Sequence, residues 1–102
     1  MAVIEAHLRK MDLLRDGTPI LEELNKTPEK YVNFNSLRKN ISINSPKLRL
    51  TAHGLYMFGY VDERFVEEEK KGEDITEHKI LEKGQKALAK YKEMLKVMKE
   101  IP

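Results

Sequence analysis

The apolar positions at the start of the chain recur at helical spacing. Ile4, Leu8, Met11 and Leu14, with Val3 and His7 beside them, share one side of a helix over residues 2–14. The run Asp16-Gly17-Thr18-Pro19 predicts its end, since Gly permits a left-handed cap and Pro does not continue a helix. Thr18 then caps a short second helix with Pro19 at its first position and Ile20, Leu21 and Leu24 on its buried side. Residues 26–30 read as a loop, and residues 31–34 alternate as a short strand, with Val32 and Phe34 on one face. Asn35 or Ser36 caps a helix running to about residue 41, buried through Leu37 and Ile41. Ser42-Ile43-Asn44 is the turn, and Asn44 or Ser45 caps the next helix, with Pro46 at an early position.

That helix, over about residues 45–58, buries Leu48, Ala52 and Leu55 and is closed by Gly59. Its other face shows Lys47, Arg49, Leu50, His53 and Gly54. Residues 60–66 read as a strand, 67–74 as a charged tip and 75–81 as the returning strand. A competing reading takes Asp74-Ile75-Thr76-Glu77 as a capping box, which starts the last helix at Ile75 and removes the return strand. Leu81, Gly84, Leu88, Tyr91, Leu95 and Met98 then follow a three-four spacing, a heptad seam of little over two repeats. The fold class expected from these elements is α+β, mostly helical.

Charge sharpens the picture locally. Residues 1–58 carry nine basic and six acidic side chains, and residues 59–102 carry ten and eleven, so the chain as a whole is nearly balanced. Between Glu29 and Asp62, however, there is no acid at all, only Lys30, Arg38, Lys39, Lys47 and Arg49. One charge sign on a helix-turn-helix pattern is the electrostatic footprint expected of a DNA reader. The absence of Cys removes thiolate catalysis, disulfides and thiolate metal sites. His7, His53 and His78 lie in separate elements without metal-ligand spacing, and no Gly-x-Ser-x-Gly, phosphate loop or paired-carboxylate motif occurs. The expectation is a protein that is not an enzyme and needs no cofactor or metal. No apolar run approaches the roughly 20 residues of a membrane span, and no basic-then-apolar leader opens the chain, so the expected setting is cytoplasmic, associated with the nucleoid.

Three short motifs carry a resemblance. Phe34-Asn35-Ser36-Leu37-Arg38, Gly59-Tyr60-Val61 and Leu81-Glu82-Lys83-Gly84 are similar to segments of winged helix-turn-helix regulators of the HxlR, MarR and PadR type. The likeness spans about residues 18–88. It implies a winged helix-turn-helix with a small β-hairpin wing over residues 17–82, preceded by an N-terminal helix in 1–16. A coiled-coil-like dimerisation helix in 83–102 also resembles archaeal winged-helix proteins that pair through their C-terminus. Two departures stand out: Glu82 replaces the usual capping Thr, and Glu67, Glu68 and Glu69 place acid at the wing tip, where it repels phosphate.

On this reading the chain is a sequence-specific double-stranded DNA-binding transcriptional regulator that acts as a homodimer, with residues 45–58 in the major groove. Ser36, Arg38 and Lys39 hold phosphates, while Asn44, Ser45, Lys47, Arg49 and His53 meet bases or phosphates, Arg49 being the expected guanine reader. Ile4, Leu8, Met11, Leu88, Tyr91, Leu95 and Met98 form the expected dimer interface. Two alternatives stay open: a winged-helix module for protein–protein contact, and an architectural chromatin protein that binds DNA without sequence preference.

Overall fold

The computed structural model describes residues 2–66 and 75–101, with side chains from Lys10 onward. Among the described residues there are four helices and a three-stranded antiparallel sheet: α1 (Ala2–Asn25), β1 (Val32–Asn33), α2 (Phe34–Asn40), α3 (Ser45–Met57), β2 (Val61–Phe65), β3 (Thr76–Ile80) and α4 (Glu82–Glu100). The sheet order is β1-β3-β2, with Val61 opposite Ile80, Glu63 opposite His78 and Phe65 opposite Thr76. This α+β layout is compatible with the winged-helix arrangement expected from the sequence. No helix among the described residues is long and apolar enough to cross a membrane.

The first helix differs from expectation. The predicted break at Gly17-Thr18-Pro19 is absent, and α1 runs unbroken through Pro19. The apolar register explains why: Leu14, Gly17, Leu21 and Leu24 repeat at three-four-three spacing straight across the supposed break. Gly17 is buried where a Cβ would meet Leu55 Cδ2 at 2.8 Å, so here it permits close approach of α3 to α1. Thr18 Oγ1 donates to Leu14 O at 2.5 Å, a back-bond within the helix and not a cap. Packing of Ile20, Leu21 and Leu24, all fully buried, outweighs the donor that Pro19 lacks.

The predicted strand at residues 31–34 is shorter than expected, because Phe34 already belongs to α2. Asn33, and not Asn35 or Ser36, caps that helix, its Oδ1 accepting from Asn35 N–H at 3.0 Å. Asn44 caps α3 as expected, Oδ1 accepting from Lys47 N–H at 3.0 Å. α3 ends at Met57 and is closed by Gly59, the one described residue with positive φ (79°), where Tyr60 N–H reaches Leu55 O and Gly59 N–H reaches Tyr56 O, both at 2.9 Å. The return strand forms, so the competing reading of the last helix is not adopted. α4 begins at Glu82 with Leu81 as a cap that has no side-chain bond.

The core joins Leu48, Ala52 and Leu55 of α3 to Phe34 and Leu37 of α2, Val61 and Ile80 of the sheet, and Leu88 of α4. α4 seats on the sheet through Gly84, which faces the Tyr60 carbonyl so closely that a Cβ there would lie 2.0 Å from the oxygen. Leu88, expected from the sequence at a dimer interface, is instead 4 % exposed in its own core. The first half of the heptad seam covers its own domain, leaving only the later positions for a partner.

Candidate functional site

The helix-turn-helix segment places its basic side chains outward. Ser36, Arg38 and Lys39 are exposed on α2, and Asn44 and Lys47 are exposed at the start of α3, with Ser45 half-buried. The charged ends of Arg38, Lys39 and Lys47 make no ion pair among the described residues. This edge is also the N-terminus of α3, whose first amides carry partial positive charge.

Arg49, expected as the guanine reader, is exposed on α3 and also engaged within the chain. Its guanidinium sits 4.0 Å from the centre of the Phe34 ring, and Nη1 donates to Thr76 Oγ1 at 3.3 Å. It therefore ties α3 to the first residue of α2 and the first residue of β3. The cause is geometric: Arg49 is one step round the helix from buried Leu48 and Ala52, at the flank facing the sheet and not at the outermost position.

His53 is also engaged. Its Nδ1–H donates to Glu63 Oε2 at 2.8 Å, while the other carboxylate oxygen accepts from His78 Nε2–H at 3.0 Å. Glu63 is 9 % exposed and His78 1 %, so the carboxylate is held between two imidazoles beneath α3. Burial pushes the Glu63 carboxyl up, but hydrogen bonds from His53 and His78, with their charge, outweigh it and hold it below the usual range. Burial drives the His78 imidazole below its ordinary value, helped by the charges of Arg49 and His53 and opposed by Glu63. His78 Nδ1 is buried with no hydrogen-bond partner. No group of three such side chains among the described residues is placed to hold a metal ion.

Sequence spacing alone does not announce this His–Glu–His bridge, although a signal exists. A hairpin pairing Val61 with Ile80 sets Glu63 opposite His78, and alternation turns both to the side that α3 covers.

Between the anchored Arg49 and His53 the outward face of α3 is apolar. Leu50 is 74 % exposed and Met57 69 %, while Phe65 at the end of β2 is 70 % exposed. Leu50 and Phe65 line an open cleft of about 240 Å³ with Arg49, His53, Glu63 and Thr76. The acidic residues 67–69 lie outside the described residues.

At the opposite end, Met11 and Leu14 of α1 and Ala87, Tyr91 and Met94 of α4 line an apolar groove of about 150 Å³. Leu95, Val97, Met98 and Ile101 continue outward, 37–66 % exposed. The side chains of Ile4 and Leu8, the other expected interface residues, lie outside those described. No family model, no curated protein and no solved structure matches the chain.

Proposed function

We propose that the chain is a double-stranded DNA-binding regulator of winged-helix type, docking α3 in the major groove and acting as a homodimer. The observation that carries this reading is the exposed basic edge formed by Arg38, Lys39 and Lys47, on a helix pair with no acid between Glu29 and Asp62. Ser36, Arg38 and Lys39 grip phosphates and set register, and Asn44, Ser45 and Lys47 lead α3 into the groove. Arg49 and His53 orient α3 on the sheet through Phe34, Thr76 and Glu63, so their role is positioning. Glu63 is tied to His53 and His78 beneath α3, and no bond among the described residues turns it toward the basic edge of Arg38, Lys39 and Lys47.

Pairing is assigned to the far end of α4. Beyond Leu88 the helix continues for about 18 Å at ~1.5 Å per residue, carrying Leu95 and Met98. A stripe of that length calls for a partner helix. A second copy closes it with two-fold symmetry and offers two α3 helices to two half-sites.

A mobility assay on duplex DNA over a salt series tests the reading. Binding falls steeply with salt, and removing one phosphate-binding cation lowers the log–log slope by about 0.9. Absence of duplex binding at low salt refutes it. The second reading, a protein-contact module, draws on the exposure of Leu50, Met57 and Phe65. An association through that face persists as salt rises, which separates the two.

A further inference from the structure

We infer that the face of α3 reads thymine by its methyl group, so that A·T-containing sites are the preferred class of duplex. This inference rests on the DNA-binding reading and specifies its target. With Leu48, Thr51, Ala52 and Leu55 buried, a step of about 100° per residue puts Pro46, Leu50, His53 and Met57 at the outermost positions of α3. Three of these four side chains have no hydrogen-bonding group of use to a base edge. The fourth, His53, has Nδ1 committed to Glu63.

The outermost positions of α3 carry no Asn, Gln or Arg, the residues that read purines bidentately, although Arg49 is exposed at the flank of the same cleft. α3 contains no Asn or Gln, and its one Arg stacks on Phe34 and bonds Thr76. What the face offers is hydrocarbon: Leu50, with Phe65 reaching the same cleft from β2. The thymine C5 methyl is the apolar group that base edges display in the major groove. The rim fits the same occupant. Lys47 stands one turn before Leu50, Arg38 and Lys39 lie on the preceding helix, and the carboxylate beneath the cleft is 9 % exposed and doubly capped. An apolar centre with a cationic edge is complementary to a thymine-bearing groove between phosphate strands.

The test gives the full chain two duplexes of equal length that differ only in one atom group: alternating A·T, and alternating A·U, which lacks every methyl. Burying one CH2-sized group is worth about 4-fold in affinity, and two half-sites raise the expected preference for thymine to roughly 10-fold or more. Leu50→Ala, at an exposed position that leaves the core intact, brings that ratio toward one. Lys47→Ala weakens both duplexes alike and preserves the ratio. Equal, salt-dependent binding of both duplexes by the unaltered protein overturns this inference and leaves DNA binding standing. Binding to neither overturns both, and assigns the apolar face to a protein partner.

Discussion

Replacing Gly84 with Ala is the sharpest probe of how α4 is seated. An added Cβ would lie 2.0 Å from Tyr60 O and 3.0 Å from both Tyr60 C and Ile80 Cγ1. The first obstacle is backbone, itself held by the Leu81 N–H bond to Tyr60 O at 3.0 Å, so no rotamer change relieves it. Relief requires α4 to move from the sheet by about 1 Å or more. Such overpacking costs ~1–3 kcal/mol, and the strained Leu81 bond adds about 1. Against this, Ala gains at most about 1 kcal/mol over Gly, the helix-interior figure, since Gly84 lies in the first turn of α4. The balance is a loss of roughly 2 kcal/mol, a fall in Tm on the order of 10 °C for a chain of this size. Gly54 supplies the control: a Cβ there meets the Leu13 side chain, Cδ1 at 3.0 Å and Cδ2 at 3.8 Å, the movable end of a flexible side chain. Gly54→Ala is therefore neutral or stabilising. Circular dichroism melts of both variants at one fixed protein concentration decide the matter. A Gly84→Ala protein as stable as the parent, or less harmed than Gly54→Ala, would refute this account of the α4 seat.

Three further outcomes are expected. Arg49→Ala lowers stability by about 1–2 kcal/mol because the Phe34 stack and the Thr76 bond go with it, while Lys47→Ala leaves stability unchanged and reduces the salt slope of duplex binding by about 1; urea titration and a mobility assay on each variant read the split. Stability falls with acid, because the folded protein holds His78 and Glu63 below their ordinary values and the unfolded chain takes up protons first. The His78 contribution is complete above pH 6.5 and is lost as pH falls below it, and Glu63 adds a second loss below 4.5. His78→Gln, which retains a donor to Glu63, flattens the upper window in urea titrations run across pH, and an unaltered pH profile contradicts the assignment. Leu95→Asp yields monomers in sedimentation, and a persisting dimer removes α4 from the interface.

Much of the element order is legible because periodicity is local. The buried set of α3, its Asn44 cap and its Gly59 stop all follow from residues within a few positions of one another. Expectation fails where a local signal meets a distant one. Gly17 and Pro19 read as a helix end until the packing of Gly17 on Leu55, 38 positions away, is known. Phe34 reads as strand because alternation over four residues does not reveal that Asn33 caps a helix. The heptad spacing of α4 is genuine, yet spacing does not say whether the covering surface is the same chain, as for Leu88, or another.

The candidate site is less legible for a related reason: the charge counted along a sequence is not the charge a surface presents. Arg49 belongs to the acid-free window but is drawn onto Phe34 and Thr76, so its cation serves the junction of α2, α3 and β3. Glu63 lies outside the window by sequence but sits beneath α3 in space, where two histidines occupy its oxygens. With Arg49 exposed but held at the flank, Arg38, Lys39 and Lys47 stand at the edge and hydrocarbon at the centre. On the proposed DNA-binding reading, affinity and selectivity then rest on different side chains. That reading gives phosphate binding to the three cations, where salt erases it, and discrimination to Leu50 and Phe65, where salt does not. A preference between duplexes that survives at high salt, where total binding has fallen, is the signature of that division.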